Sequence, residues 1–244
     1  MWNVSQCLAR PLQRLPGTCQ ICHRWPAQPV CDRCVARHAP SRVRCHTCAR
    51  PLTGDTTRCG ECLTRPGGPV LSACVAAVDY AYPWDDLIAR FKFREEPGLA
   101  GPLAALMLKA PGATDLLCRA DLIVPIPVSR DRLAQRGYNQ AWELVKALRQ
   151  GVGKASGPAV PDALERKGDG PDQHRLDKKH RTLNLKTAFN AHDRHAGRLK
   201  GAIVVLVDDV STTGTTLRSA AHALMAAGAC RVSAVVLART PAPR

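Results

Sequence analysis

Two adjacent carboxylates, Asp208 and Asp209, are followed by a run of hydroxyls broken by one glycine: Ser211, Thr212, Thr213, Gly214, Thr215 and Thr216. Paired carboxylates accept hydrogen bonds from two neighbouring sugar hydroxyls, or help hold a hydrated Mg²⁺ through oxygen. The hydroxyl run leads into an amphipathic stretch, Leu217 to Ala227. A helix starting there would offer free N–H groups and a positive dipole end, which suit a phosphate dianion. Gly214 lets the backbone come close to a ligand, and the threonines add donors. One segment thus has the groups to hold the diol and the 5-phosphate of the same pentose. The plainer reading is a solvated strand end whose threonines only cap a helix; so many donors and acceptors in one short run argue against it. No Gly-Lys-[Ser/Thr] occurs here, which excludes a Walker loop.

A second group is sulfur. Cys19-x2-Cys22, Cys31-x2-Cys34, Cys45-x2-Cys48 and Cys59-x2-Cys62 place eight of the twelve cysteines in four CxxC pairs. Each CxxC turn sets two thiolates on one side of a knuckle, and two knuckles complete a tetrahedral Zn²⁺ shell. Sequential and interleaved pairing both satisfy the spacing. The similar intervals inside the two halves favour sequential pairing: Cys19, Cys22, Cys31, Cys34, then Cys45, Cys48, Cys59, Cys62. Closed four-cysteine sites lack the open position that catalysis needs, so the two Zn²⁺ ions are expected to be structural. Arg24, Arg33, Arg37, Arg42, Arg44, Arg50, Arg58 and Arg65 surround the knuckles and make a nucleic-acid or protein contact surface the sharper alternative. Each zinc ion with its four thiolates is a dianion, which offsets much of that basic excess. Cys7, Cys74, Cys118 and Cys230 fall outside the pattern and are expected to be buried free thiols.

The elements that must position these groups read as α/β. Val204–Val207 is a buried strand, with the carboxylates expected where it ends. Pro66-Gly67-Gly68-Pro69 marks a boundary, giving a double zinc ribbon over 1–66 and an α/β domain over 70–244. Cys74–Tyr80 reads as a strand, and Trp84–Phe93 and Leu99–Lys109 as helices. Asp121–Pro127 is a strand ending in prolines, and Asn139–Leu148 is a helix by its apolar spacing. Gly151–Gly157 reads as a linker. Residues 160–200 are basic and polar, either an active-site loop or nucleic-acid surface, or a solvated helix with Leu176, Leu183 and Leu185 as a thin apolar face. Arg231–Ala238 closes the domain as a strand. Strands alternating with crossover helices give a mostly parallel sheet.

Composition sets outer limits. The chain has 244 residues, room for one α/β domain and a small module. Aromatics are 4%, so Val, Leu and Ala must fill the core. The formal charge of +15 favours anionic partners without choosing among phosphates, nucleic acid and acidic surfaces. No apolar run approaches the ~20 residues needed to span a bilayer. No secretory leader is read at Met1–Pro16. The expectation is a cytoplasmic chain with no membrane insertion.

The stretch around Asp208–Thr216 resembles the 5-phosphoribosyl-1-pyrophosphate (PRPP) motif of type I phosphoribosyltransferases. The whole chain resembles the ComF/GntX competence family, a double zinc ribbon joined to a phosphoribosyltransferase domain. The features that carry this are the four CxxC pairs, Phe91-Lys92-Phe93, Val124-Pro125-Ile126-Pro127 and Arg136-Gly137-Tyr138-Asn139-Gln140. To these are added Gln173, Arg181 and Asn184 through Ala188-Phe189, and the acidic pair with its threonine loop. Ser211 stands where an apolar residue is commoner, and Gly170 where the family often has Thr. The resemblance implies a type I phosphoribosyltransferase-like parallel sheet flanked by helices, behind a small Cys-rich double zinc ribbon. It implies Asp208 and Asp209 on the ribose diol, Thr212 to Thr216 around the 5-phosphate with Ser211 also at the PRPP site, and Mg²⁺ with PRPP. Pro125, Ile126, Pro127, Arg130 and Arg136 would approach pyrophosphate. It also implies a role in natural transformation or use of external DNA, with competence-machinery proteins as partners. Two functional readings follow: a phosphoribosyl transfer enzyme, or a non-catalytic PRPP- or nucleotide-sensing module that binds single-stranded DNA. No catalytic base is named by the sequence.

Overall fold

A computed structural model describes residues 17–54, 56–167 and 188–241. It divides into two compact units, 1–40 and 41–244. In the first, Gly17 and Ala27 form an antiparallel bridge beside helix α1 (Asp32–His38). Cys19, Cys22, Cys31 and Cys34 gather there.

The second unit begins with a knuckle closed by an Arg44–Pro51 bridge and by helix α2 (Gly60–Leu63). Then follow β1 (Cys74–Asp79), α3 (Trp84–Phe93), α4 (Ala100–Leu108), α5 (Ala113–Cys118) and β2 (Leu122–Pro125). Next come α6 (Arg130–Arg136), α7 (Gln140–Val152), β3 (Leu164–Arg166) and β4 (Phe189–Ala191). The chain ends with α8 (Ala196–Leu199), β5 (Ile203–Ser211), α9 (Thr215–Ala226) and β6 (Arg231–Arg239). β1, β6, β5 and β2 form an all-parallel sheet in that order. β5 and β6 are central, which is why they read as unbroken apolar runs. Alternate residues face opposite sides. Val204, Leu206, Ala234 and Val236 share one core with Leu217, Ala221 and Leu224 of α9. α4 and α7 pack together and against β5 and β6.

Three boundaries differ from expectation. β5 does not end before the carboxylates: Asp208 pairs with Val236, Val210 with Ala238 and Ser211 with Arg239. Gly151, expected in a linker, lies inside α7, which runs on to Val152. The compact boundary falls at Pro40 instead of at Pro66–Pro69, because Ala49, on the N-terminal side of those prolines, belongs to the same core as the sheet and α9. Within the basic 160–200 segment, β3 and β4 form a short antiparallel hairpin. Gly170, Gln173, Leu176, Arg181, Leu183, Asn184 and Leu185 lie outside the described residues, as does Cys7. Cys74 is buried as expected, but Cys118 and Cys230 are exposed. Among the described residues no helix is long and apolar enough to cross a membrane.

Candidate functional site

The acidic pair sits on a strand held in register by β6, so its backbone is fixed before any ligand arrives. Asp208 carries its own local bond, accepting from the Asp209 N–H at 2.9 Å. Asp209 accepts from the Val210 N–H at 2.5 Å and pairs with Lys92 Nζ at 3.0 Å. Burial and the neighbouring Asp209 push the Asp208 carboxyl up to about 8; the Asp209 N–H, Lys92 and Arg166 oppose the rise.

A cavity of about 150 Å³ opens over this pair. Asp208, Asp209, Val210 and Thr216 form one wall, and Ile126, Pro127 and Val128 face it from the turn after β2. Lys92, Arg132, Arg136 and Arg166 bring four cations to two carboxylates. Such an excess suits a ligand with several phosphate charges.

The Arg136–Gln140 run explains how these walls are set. Gly137, at φ +72°, ends α6 in the left-handed conformation that glycine adopts without steric cost. Tyr138 then donates its hydroxyl to the Phe91 carbonyl, which ties the run to the end of α3 beside Lys92. Asn139 caps α7: its Oδ1 accepts from Ala141 N–H at 2.9 Å and Trp142 N–H at 3.3 Å. Its Nδ2 donates to the Ile126 carbonyl at 3.1 Å, which pins the proline turn. Gln140 is 1% exposed and accepts from Arg136 Nη1 at 3.1 Å. The Arg136 guanidinium also lies 4.7 Å over the Phe93 ring.

The threonine loop turns on Gly214, at φ +75°, directly before α9. Arg218, one turn into that helix, donates to the Thr213 carbonyl and to Thr215 Oγ1, each at 2.9 Å. Thr213 and Thr215 bond to each other through their hydroxyls at 2.9 Å.

The thiols gather sequentially, as the interval argument expects: Cys19, Cys22, Cys31 and Cys34 in one cluster, Cys45, Cys48, Cys59 and Cys62 in the other. The Sγ–Sγ separations are 3.9 Å for Cys19–Cys34, 3.8 Å for Cys22–Cys31 and 3.7 Å for Cys48–Cys59. A tetrahedron with Zn–S bonds of about 2.3 Å has edges of about 3.8 Å, so both clusters have the dimensions of a structural zinc site. In the second, the Cys59 N–H also donates to Cys45 Sγ at 3.3 Å.

The family model for the phosphoribosyl transferase domain matches residues 164–244. DNA utilization protein YhgH of Escherichia coli K12 is 32% identical over 233 residues, which cover 93% of this chain and 98% of that protein. The chain belongs to the ComF competence family. Competence protein F of Haemophilus influenzae is 31% identical over 214 residues, 86% of this chain and 90% of that protein. A solved purine phosphoribosyltransferase from Pyrococcus horikoshii aligns with 61% of this chain and 75% of its own, at 19% identity and a TM-score of 0.32. By the matching family model and its own all-parallel sheet, the ComF-family chain has a type I phosphoribosyltransferase-like fold, a parallel sheet flanked by helices, with four-cysteine clusters toward its N-terminus that fit zinc ribbons.

Of the residues singled out in this ComF-family sequence, Asp208, Asp209, Thr216, Ile126, Pro127 and Arg136 line the cavity together. Thr212 and Thr213 lie on the loop before α9 and Thr215 is the first residue of that helix; none of the three lines the cavity. Ser211 and Gly214 instead line a smaller cavity of about 20 Å³, which they share with Thr47, Cys48, Cys62 and Arg218. Pro125 is buried in β2, and Arg130 is exposed at the start of α6; neither lines the cavity. Arg132, one of the 130–136 cations expected to balance the pyrophosphate charge, lines it too, and Lys92, Asn139, Gln140 and Arg166 line it without having been assigned a role by the sequence. The Phe91-Lys92-Phe93 and Arg136–Gln140 motifs were the available signal for most of them. Four of the knuckle arginines are occupied by ion pairs: Arg42 and Arg44 with Asp79 at 3.4 and 2.8 Å, Arg50 with Glu61 at 2.7 Å, and Arg65 with Glu61.

Proposed function

We propose that the cavity over Asp208 and Asp209 binds PRPP as its Mg²⁺ complex. One observation supports this most: a single cavity joins the paired carboxylates, the first turn of α9 and a cluster of four cations. The carboxylates take the ribose diol, and Thr212–Thr216 take the 5-phosphate at the start of α9. The pyrophosphate lies toward the Ile126–Val128 turn, with Arg132, Arg136, Lys92 and Arg166 around it. The all-oxygen donor set of Asp208, Asp209 and the phosphates suits Mg²⁺. The reaction is phosphoribosyl transfer to a nitrogen nucleophile. As pyrophosphate departs, positive charge grows at the ribose C1, and the Asp209 carboxylate stabilises it, joined by Asp208 when that carboxyl is ionised. The kinship with proteins named for DNA utilization and competence supports a cytoplasmic role in the use of external DNA, with competence proteins as partners. The test is calorimetric titration of the full chain with Mg²⁺–PRPP, together with pyrophosphate release from labelled PRPP and candidate acceptors. Binding that is lost in the double variant Asp208→Asn, Asp209→Asn supports the reading; binding retained in it overturns the site.

A second reading rests on the formal charge of +15. The same pocket senses PRPP without turning it over, while basic surface binds single-stranded DNA. Its affinity then falls steeply with salt. Filter binding that ignores salt overturns it. The Arg42, Arg44, Arg50 and Arg65 ion pairs weigh against the knuckle as its main contact surface.

A further inference from the structure

Arg239 closes β6 and is 2% exposed, one of the largest fully buried side chains of the chain. Burying a guanidinium is costly unless its donors are matched. The hydrogen bonds of this one among the described residues go to carbonyl oxygens. Its Nε donates to the Cys48 carbonyl at 3.0 Å. Its Nη1 donates to the carbonyls of Ser211 at 3.1 Å, of Thr240 at 2.9 Å and of Thr212. One planar fork therefore grips the second cysteine cluster on one side and the entry to the threonine loop on the other. The β-ladder sets it there, since Arg239 is the register partner of Ser211.

The knuckle is seated by further bonds. The Cys74 N–H donates to the His46 carbonyl at 2.7 Å, where β1 begins. Arg44 bonds both Asp79 at the end of β1 and the Ala49 carbonyl, at 2.8 and 3.2 Å. Arg218 completes the loop side by holding Thr213 and Thr215, and it lines the small cavity with Cys48 and Cys62. The loop carbonyls from Ser211 to Thr213 are thus all held by two arginines that border the knuckle.

We propose that Arg239 is a positioning residue that makes the order of the threonine loop depend on the metal-bound fold of the second four-cysteine knuckle. Metal at Cys45, Cys48, Cys59 and Cys62 fixes the Cys48 carbonyl. That carbonyl orients the guanidinium, and the guanidinium fixes the backbone of Ser211 and Thr212. The knuckle contributes no group to the ligand cavity itself. The consequence for ligand affinity rests on the PRPP reading above; the consequence for loop order does not.

The test uses the full chain as wild type, Arg239→Gln and Arg239→Lys. It measures bound zinc, Mg²⁺–PRPP affinity and amide hydrogen exchange. Arg239→Gln is expected to keep zinc at both clusters, to speed exchange at residues 211–216 by about tenfold or more, and to weaken PRPP by about tenfold. Arg239→Lys, with the charge but not the fork, is expected to recover part of both losses. Wild type stripped of metal is expected to show the same fast exchange at 211–216, and this decides the matter if Arg239→Gln fails to fold. Unchanged exchange there in both samples overturns the proposal. So does faster exchange spread equally over β1 and β2, which would mean general loosening. A wild type that ignores PRPP while its loop still responds to Arg239→Gln overturns the PRPP reading and leaves the coupling standing.

Discussion

Asn139 does two separable things, and two substitutions separate them. Its Oδ1 caps α7 through the Ala141 and Trp142 N–H groups, and its Nδ2 holds the Ile126 carbonyl. Loss of an Asn cap to alanine costs about 1 kcal/mol. Leaving the buried Ile126 carbonyl without this donor costs about 1 kcal/mol more. Asn139→Ala should therefore lose about 2 kcal/mol of folding stability. Asn139→Asp keeps an acceptor for the cap but removes the donor, so it should lose about half as much. Both free the proline turn, and both should weaken Mg²⁺–PRPP by about tenfold. Urea unfolding gives the stabilities, and calorimetry gives the affinities. If Asn139→Asp is as unstable as Asn139→Ala, the cap is not a source of stability. If Asn139→Ala stays within about 0.5 kcal/mol of wild type, the whole assignment is wrong.

Three other outcomes are expected. Gly214→Ala places a Cβ at φ +75° and 3.2 Å from Arg218 Nη1, and should cost about 1 kcal/mol with a clear loss of phosphate affinity; an unchanged urea midpoint would refute the strain argument. Lys92→Met strips the partner from Asp209, which is 7% exposed, and should destabilise by about 3 kcal/mol, with equal stability of variant and wild type as the refuting result. For pH, the Asp208 carboxyl is raised from 3.8 to about 8, so the folded state binds the extra proton between those values. Its contribution to stability is fully present below 3.8 and is lost as pH rises through about 8. Asp208→Asn should flatten that part of the stability–pH curve, and a curve of unchanged slope would exclude Asp208 as its cause.

The continuous apolar runs of β5 and β6 made the centre of the sheet legible, and the helical spacing of Leu87, Ile88 and Phe91 did the same for α3. The eight cysteines announced both clusters, down to the sequential pairing. What escaped depends on partners distant in sequence. β5 continues through Asp208 to Ser211 because β6 pairs with it, not because its residues favour a strand. β3 and β4 have three residues each, too few for a period to register. The cavity was half legible. Its acidic wall is one contiguous motif, whereas Lys92 of α3, Arg132 and Arg136 of α6, and Arg166 of β3 come from three elements that only the fold assembles. Arg239 follows the expected Arg231–Ala238 strand and belongs to no motif; its place rests on strand register and burial.

The seam at Pro40 bears on how such a chain could be divided or recombined. The Pro66–Pro69 stretch looks like the natural place to cut. A fragment starting at residue 70 would lose Ala49 from the core, the carbonyl partner of the Cys74 N–H, and the Cys48 carbonyl that Arg239 grips. It would leave the Arg239 Nε without its carbonyl partner, while the Nη1 bonds to the Ser211, Thr212 and Thr240 carbonyls stay. The compact unit that holds the acidic strand and its loop begins at residue 41 and carries its own knuckle with it.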